Sequence, residues 1–417
     1  MTIRTKQTSK VKLWSHSFIF VMLANALLFG AFEMLLPTLP LFVSDIGGDT
    51  KQIGLVTGIF VFSAILIRPF AGVLATKMDK KYLLIIGIAI CALSSGAYYL
   101  SSGIWIMLLI RVIHGFGFGL ATTYFTTIAA ESIPEERRGE GLGYFGVGEA
   151  IAMSLGPLMG VTILQTYHFQ SLFMSCMAIT LLALLIAVFI SRKPKSANDL
   201  GNQKTRITTF KLIEKRVLFP AILIFLAGIS AGGIISFTAL YAIDKGFESV
   251  AWFFFIVAAA SFLVRLVSGK MFDNLGPASV LIPAGMITIA GFIVLIAAQS
   301  EFQFLIAGFL YGFGFGAIFP ALQTVCLNLV EEHNHEDAIG TFFNFFELGI
   351  GGGSLLLGAV AEAFSYQAIY YVSIGSYVLY LLLYLTYTSF NIQIRKKRKI
   401  AKTIGTNFVS TKGGQNE

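Results

Sequence analysis

The sequence predicts an all-α membrane protein in which twelve transmembrane helices form two pseudo-symmetric six-helix bundles. Three observations lead to this fold class: few charged residues, twelve long apolar segments, and a repeat that relates the two halves of the chain. Charged residues make up 12% of the 417 residues, and the mean hydropathy is +0.78. Soluble domains contain about 25% charged residues, so the composition excludes an ordinary soluble fold.

The apolar segments have the length of helices that cross a bilayer, which takes roughly 20 residues. Barrel strands would need only about 10 residues of alternating polarity, whereas these segments are longer and evenly apolar. We therefore predict helices throughout the membrane. The predicted spans cover residues 16–42, 53–75, 82–101, 104–128, 141–165, 169–191, 218–242, 251–271, 278–299, 303–329, 338–364 and 367–390.

Lysine and arginine residues cluster on one side of the predicted spans. If the N-terminus is cytoplasmic, 27 of the 30 lie at cytoplasmic ends, whereas only Lys51 and Lys245 lie in outer loops. The positive-inside rule then predicts a plasma-membrane protein with both termini in the cytoplasm. We expect the basic flanks to contact anionic lipid headgroups. They are short, so nucleic-acid binding is not expected.

One long hydrophilic segment divides the spans into two groups of six. We predict an N-terminal half at 1–191, a cytoplasmic linker at 192–217, a C-terminal half at 218–390 and a basic cytoplasmic tail at 391–417.

The two halves repeat at an offset of 197 residues. The sequence GFGFG at 115–119 recurs at 312–316, and the pair Arg68 and Gly72 recurs as Arg265 and Gly269. Because each half has an even number of spans, the halves share one orientation and are related by an axis along the membrane normal. This arrangement predicts a site between the halves that opens to either side in turn.

Three motifs in spans two to five resemble those of a known transporter family. Residues 72–81 (GVLATKMDKK) resemble Gly-x-x-x-Asp-Arg-x-Gly-Arg-Lys, and residues 111–115 (RVIHG) resemble Arg-x-x-Gln-Gly. Residues 148–161 (GEAIAMSLGPLMGV) resemble an antiporter motif with Gly-Pro-x-x-Gly-Gly. The chain therefore resembles the major facilitator superfamily, and within it the twelve-span drug:proton antiporter family, over nearly its whole length.

In that family the loop after the second span latches the cytoplasmic side through ion pairs. The first copy of the motif holds Gly72 and Asp79, but Thr76 replaces the acid. The second copy keeps the acid as Asp273, which is therefore the better latch candidate. The alternative is that Asp273 is an ordinary solvated turn residue.

The fourth span carries Arg111 and His114, which share one helical face with Phe118 and Thr122. An arginine within a span is costly unless it faces protein or water and has a partner. A structural ion pair is one interpretation, whereas the resemblance implies that Arg111 takes part in proton coupling. His114 stands where the family has glutamine, either as a proton carrier or as a hydrogen-bonding substitute.

The fifth span carries small residues at every fourth position, which allow a neighbouring helix to approach closely. The stripe contains Gly148, Gly156 and Gly160, and Pro157 can bend the span. Packing alone explains the stripe. Its combination with Pro157 implies, by the resemblance, an exporter rather than an importer.

Three acids lie well inside predicted spans: Glu33, Glu149 and Glu347. Each is costly in lipid and is a candidate for proton coupling, in that order of preference. The alternative is that one or two of them neutralise Arg111 or a helix end.

Family architecture implies that spans one, four, seven and ten line an apolar substrate cavity, although most aromatic residues face lipid or fill helix contacts. The candidates are Asn25, Phe29, Phe118, Thr122, Phe237, Tyr241, Tyr311 and Phe315. The sequence contains no nucleotide-binding motif, metal cluster or nucleophile arrangement, so we expect neither an enzyme nor a cofactor.

Together these patterns predict a monomeric, proton-coupled secondary transporter that exports amphipathic small molecules by alternating access. Its substrates would be drugs or a metabolite such as a metal chelator. The alternative is a proton-coupled nutrient importer, and a non-transporting membrane receptor is less favoured.

Overall fold

The computed structural model describes residues 13–101, 103–134, 137–191, 213–331 and 334–412, which form twelve long helices and no strand. Each helix is long and apolar enough to cross a membrane, so the predicted fold class is confirmed. The helices are α1 (His16–Asp45), α2 (Thr50–Lys77), α3 (Lys80–Ala97), α4 (Ile104–Ser132), α5 (Arg138–Thr166), α6 (Phe169–Val188), α7 (Leu218–Lys245), α8 (Val250–Leu275), α9 (Ala278–Ala297), α10 (Glu301–Asn328), α11 (His335–Ala363) and α12 (Tyr366–Lys412).

The helix bounds themselves follow the sequence repeat. Both ends of α11 lie 197 residues after those of α5, and α10 begins 197 residues after α4. Residues 192–212 of the predicted linker lie outside the described residues. The last helix continues past the predicted span to Lys412, through most of the segment predicted as a basic tail.

Side-chain caps define where the first helices begin. The hydroxyl of Ser15 accepts a hydrogen bond from the amide of Phe18 at the start of α1. At the start of α2, Asp49 and Gln52 each accept a hydrogen bond from the other's backbone amide. Such caps satisfy amides that lack a partner within the helix and contribute about 1 kcal/mol each.

Short loops make the helices alternate in direction, which gives the molecule two loop-bearing faces. The terminal face carries the start of α1 and the loops after α2, α4, α8 and α10. The opposite face carries the loops after α1, α3, α5, α7, α9 and α11.

The two bundles approach each other closely along α2 and α11 near the opposite face. A Cβ atom added to Gly54 would lie 2.3 Å from the carbonyl oxygen of Ser354, and one on Gly58 would lie 2.6 Å from Cγ of Leu355. Only glycine permits helix backbones to come this close. We call this contact, formed by Gly54, Gly58, Ser354 and Leu355, the glycine seam.

Hydroxyl groups extend the seam to a third helix. Oγ1 of Thr57 in α2 lies 3.0 Å from Oγ of Ser236 in α7, which in turn lies 3.1 Å from Oγ of Ser354. On the other side of the molecule, the Gln165 amide donates to the carbonyl oxygen of Glu248 at 3.3 Å. The bundles are therefore joined at the opposite face.

Candidate functional site

Arg111 lies inside the N-terminal bundle with only 1% of its surface exposed. Its Nε donates to the carbonyl oxygen of Val56 at 3.1 Å, and its Nη1 lies 3.5 Å from the hydroxyl of Tyr98. Its Cζ lies 4.2 Å from the centre of the Phe60 ring, a cation–π geometry. Within the described part of the chain no carboxylate forms an ion pair with Arg111, so neutral groups compensate its charge.

His114 and Arg111 both lie next to the hydroxyl of Tyr98. The hydroxyl of Tyr98 lies 2.9 Å from Nδ1 of His114, and the His114 ring meets the Phe60 ring edge-on at 5.3 Å. Tyr98 follows directly after α3, and no sequence motif indicated it. Its hydroxyl joins Arg111 and His114 into one buried polar unit.

Glu33 lies near the middle of α1, 7% exposed and without an ion pair among the described residues. Gly156 of α5 lies directly against it, because a Cβ atom on Gly156 would be 2.4 Å from Cβ of Glu33. Gly160 approaches the carbonyl oxygen of Met34 equally closely. The small-residue stripe of α5 therefore faces α1, and Pro157 follows Gly156 within α5.

Asn25 and Glu149 join α1 to α5 two turns nearer the terminal face. Nδ2 of Asn25 donates to Oε1 of Glu149 at 2.9 Å. Asn25 is 1% exposed, and its Oδ1 is buried without a hydrogen-bond partner. The predicted cavity residue Asn25 thus contacts a predicted proton-coupling acid.

Glu347, a predicted proton-coupling acid, forms an ion pair between the bundles. Its partner, Arg68, was not among the predicted site residues. Both terminal nitrogens of Arg68 in α2 donate to the Glu347 carboxylate of α11, at 2.7 and 2.8 Å, and Nη1 also donates to Oδ1 of Asn344 at 3.1 Å. Such two-pronged pairs are strong and directional. Arg68 appeared in the sequence only as part of the internal repeat. Its position well inside an apolar segment is the signal that could have identified it, because a charged residue there needs a partner.

The loop after α2 is held within the N-terminal bundle. Asp79 caps α3 by accepting a hydrogen bond from the amide of Lys81 at 2.8 Å. Lys80 forms an ion pair with Glu131 of α4, and Nζ of Lys81 donates to the carbonyl oxygen of Val188 at 2.6 Å. Asp79 therefore acts here as a helix cap.

The second latch candidate, Asp273, is exposed near the end of α8 and has no ion pair in the described part of the chain. Gly72 lies in α2, one turn after Arg68. In this conformation neither Asp79 nor Asp273 joins the two bundles, and Arg68 does so instead.

Aromatic rings surround the face of α4 that carries Arg111. The ring of Phe118 lies 5.3 Å from Phe29, 4.4 Å from Phe32 and 5.4 Å from Phe60. The Thr122 hydroxyl donates to the carbonyl oxygen of Phe118 at 2.9 Å, so it is turned back onto its own helix. These four rings form one apolar group, in which Phe32 is the neighbour of Glu33 in α1 and Phe29 lies one turn before it.

The predicted cavity residues of the C-terminal bundle are mostly enclosed. Phe237 and Tyr241 are fully buried, and the Tyr241 hydroxyl donates to the carbonyl oxygen of Leu295 at 3.0 Å. Tyr311 is buried and stacks on Phe315 at 5.7 Å, whereas Phe315 is partly exposed. Of these four residues, only Phe315 offers a surface to a ligand in this conformation.

A cavity of about 510 Å³ opens at the opposite face between the ends of α1, α5 and α6. Its polar lining includes Asp45, Tyr99 and His168. None of the predicted site residues lines it, so it is separate from the buried polar groups above. Among the described residues, no group of three or more His, Cys, Asp or Glu side chains is placed to hold a metal ion.

The sequence profile of the Major Facilitator Superfamily matches residues 21–300 and 248–409. The chain belongs to this superfamily. It is therefore a multi-pass membrane transporter for small molecules and not an enzyme.

Two relatives match over most of their length. The multidrug resistance protein MdtG of Citrobacter koseri is 28% identical over 384 residues, which cover 87% of this chain and 92% of the relative. MdtG of Escherichia coli K12 is 27% identical with the same coverage. These matches confirm the family resemblance drawn from the motifs.

Two solved structures share the fold. The nucleoside transporter NupG has a TM-score of 0.70 at 16% identity and covers 89% of this chain and 98% of its own. A bacterial homolog of the human lysosomal transporter Spinster, in an inward-facing and occupied conformation, has a TM-score of 0.75 at 15% identity, with coverage of 89% and 96%. At these identities the likeness shows the fold alone.

Proposed function

We propose that this transporter exports amphipathic small molecules from the cell in exchange for protons. The proposal rests mainly on Glu33, a carboxyl group that is buried in a membrane helix, has no ion pair among the described residues and packs against Gly156. Similarity along 87% of the chain to proteins named for multidrug resistance supports the same function.

Ionising a carboxyl group away from water is costly, so we expect Glu33 to exchange its proton only when water reaches it. Glu33 lies near the middle of α1. Opening the protein to one side and then to the other would therefore carry a proton across the membrane. Each unit charge that moves through 100 mV supplies about 2.3 kcal/mol, which is enough to drive a useful substrate gradient.

We infer that Arg111 tunes this exchange through its contact with the Phe60 ring. Phe32, the neighbour of Glu33 in α1, stacks on Phe60 at 4.9 Å, and Phe60 also carries the cation–π contact with Arg111. A movement of α1 therefore changes the surroundings of Arg111. The Tyr98 hydroxyl lies near both Arg111 and His114, so it would help to hold the arginine in position.

The chemistry beside Glu33 suits an amphipathic substrate. Phe29 and Phe32 are partly exposed on α1, one turn before Glu33 and next to it, and the buried rings of Phe60 and Phe118 pack behind them, so an apolar surface lies close to an ionisable group. Drugs and metabolites such as metal chelators combine apolar groups with ionisable ones.

We infer that the terminal face is cytoplasmic and that the halves 1–191 and 218–390 move as units joined by the linker 192–217. The charge asymmetry of the loops supports this orientation in the plasma membrane, with the basic flanks against anionic headgroups. Reporters fused at Gly201 and after Phe390 should be inaccessible from outside intact cells. A reporter that reacts with an impermeant reagent would refute the orientation.

Transport in reconstituted vesicles tests the proposed function. With an imposed proton gradient, the protein should move a fluorescent amphipathic cation against its own gradient, and an uncoupler should abolish this movement. Glu33→Gln and Arg111→Ala should express normally and lose gradient-driven transport. Glu362→Gln removes an exposed acid at the end of α11 and should leave transport unchanged.

The same assay separates the alternatives. Right-side-out vesicles that concentrate a substrate together with protons would establish the importer. Binding of the probe without any flux would favour a receptor. Concentrative transport by Glu33→Gln at the wild-type level would refute the role of Glu33.

A further inference from the structure

The cavity at the opposite face collects aromatic rings around one carboxylate. Among the described residues that line it there is neither lysine nor arginine. Its volume of about 510 Å³ lies within the range of small-molecule sites, which is roughly 300–1,000 Å³. We call this space the aromatic cavity and define it by its aromatic residues and its acid: Phe42, Tyr99, Tyr167, Phe169, Phe173 and Asp45.

The rings of the aromatic cavity extend from the protein interior to the solvent. The Phe42 ring lies 5.0 Å from those of Phe169 and Phe173, and both Phe42 and Phe173 are buried. Tyr99 and Tyr167 are 48% and 62% exposed, so they lie toward the solvent. The faces of aromatic rings attract cations, and apolar groups pack on them as well. The rings therefore suit a ligand that is both cationic and apolar.

The surroundings of Asp45 are negative and contain no cation of the protein itself. In the part of the chain that the structure describes, the Asp45 side chain forms neither an ion pair nor a hydrogen bond, and the last turn of α1 contains no basic residue. The negative C-terminal ends of α1 and α5 both reach the cavity, whereas α6 alone begins there with its positive end. An acid at a helix C-terminus is unfavourable, so a bound cation would relieve this repulsion.

The C-terminal bundle supplies a cation at the corresponding helix end. The repeat relates α1 to α7, and α7 ends with Lys245, whose Nζ lies 5.7 Å from the centre of the Tyr241 ring. The residue that the repeat places opposite Asp45 is Ala242. The first half therefore has the acid and the rings but lacks the cation that the second half carries itself.

The cavity is also open where the second half is closed. Nε2 of Gln367 donates to the carbonyl oxygen of Ile296 at 3.5 Å, which ties the start of α12 to the end of α9. The repeat-related residues are Gln170 and Tyr99, and both line the cavity. Gln170 is exposed and forms no hydrogen bond within the described ranges. The opening is therefore a feature of this half and not of the fold.

We propose that the aromatic cavity binds an amphipathic organic cation, whose charged group pairs with Asp45 and whose apolar groups pack on the rings. The site is distinct from the Glu33 region, since none of the predicted site residues lines the cavity. In the proposed orientation the ligand reaches it from outside the cell. The inference uses neither the proton exchange nor the direction of transport proposed above.

Protection of a cysteine from labelling tests the site in the full-length protein in nanodiscs. Gln170→Cys places a thiol at the cavity, and Phe364→Cys is the matched control, because Phe364 is 79% exposed on the same face of the other bundle. The probe is tetraphenylphosphonium, a permanent cation surrounded by aromatic rings. The native cysteines are buried and so react poorly: Cys91, Cys176 and Cys326.

Tetraphenylphosphonium should slow the maleimide labelling of Gln170→Cys and leave that of Phe364→Cys unchanged. Adding Asp45→Asn should raise the concentration for half-protection about fivefold at low salt, the size of an exposed ion pair, and this difference should shrink at high salt. Adding Tyr99→Leu should raise the same concentration about fivefold at either salt concentration, because a ring face carries no net charge to screen.

Two further variants and two bilayers complete the experiment. Asp244→Asn removes an acid from the last turn of α7 and should leave half-protection unchanged. Glu33→Gln should keep full protection, so a loss of proton-coupled export with protection retained leaves the inference intact. The probe should protect in bilayers of phosphatidylglycerol, whose headgroup has no cation, and in those of phosphatidylcholine, whose headgroup has one.

Three outcomes would overturn the proposal. Equal protection of Gln170→Cys and Phe364→Cys would assign the effect to probe that accumulates at the bilayer. Half-protection at one concentration with and without Asp45→Asn and Tyr99→Leu would show that neither the acid nor the ring holds the probe. Labelling that is slow in phosphatidylcholine and insensitive to the probe would assign the cavity to a lipid headgroup.

Discussion

The substitution Gly156→Ala tests the contact between α1 and α5 on which the proposed proton exchange depends. The added Cβ would lie 2.4 Å from Cβ of Glu33 and 3.1 Å from the carbonyl oxygen of Gly30. Carbon atoms in contact prefer about 3.5–4.0 Å, so the helices must separate by roughly 1 Å at Glu33. Overpacking of this kind costs about 1–3 kcal/mol, and we expect that loss in the free energy of unfolding.

The same separation should admit water to Glu33 from both sides and cause protons to leak when no substrate is present. A pH-sensitive dye inside vesicles measures the leak, and denaturation in bicelles measures stability. Gly156→Leu and Pro157→Leu should leak more strongly. Gly146→Ala is the matched control, because its Cβ meets nothing within 4 Å, and it should stabilise α5 by up to about 1 kcal/mol without a leak. Equal stability and coupling in Gly156→Ala and Gly146→Ala would refute the reasoning.

Three further substitutions have defined outcomes. Arg68→Gln leaves Glu347 without its cation, so a cysteine placed in the glycine seam should react faster with an impermeant thiol reagent, and adding Glu347→Gln should slow it again because no unpaired charge remains. Asp79→Ala removes the cap of α3 and should lower the free energy of unfolding by about 1 kcal/mol in denaturation, with unchanged transport. Tyr98→Phe removes the hydroxyl beside His114 and should shift the pH dependence of transport, and a pH profile identical to that of the wild type would argue against the shared polar unit.

The bilayer explains why the helices were predictable and why some of their ends were not. An apolar segment of about 20 residues has few alternatives in lipid, so each predicted span corresponds to a helix. Hydropathy, however, predicts where a helix leaves the lipid and not where the helix itself ends. The predicted last span, 367–390, agrees with the apolar part of α12 at Tyr366–Ser389, whereas the helix itself continues to Lys412.

Individual site residues were easier to find than their partners. A charge within an apolar run is exceptional, and this drew attention to Glu33, Arg111, Glu149 and Glu347 from the sequence alone. Their partners depend on distances that no local pattern contains. The bond from Asn25 to Glu149 spans 124 residues and the pair of Arg68 with Glu347 spans 279.

Tyr98 was missed for a different reason. A tyrosine at the end of an apolar helix is ordinary at a membrane interface, where its ring and hydroxyl suit lipid and water. Only the fold shows that this hydroxyl points inward, between Arg111 and His114.

The glycine seam has a consequence for the environments in which the transporter can work. Its described contacts join backbone atoms, an apolar side chain and neutral hydroxyls at van der Waals or hydrogen-bonding distance. Dissolved ions screen charges beyond about 8 Å at physiological strength, but they barely affect such neutral contacts. In the proposed orientation the seam faces the exterior, where salinity is not under the control of the cell. The packing of the seam itself should therefore be the same in dilute water and in brine, so that only the Arg68–Glu347 ion pair makes the α2–α11 interface sensitive to salt.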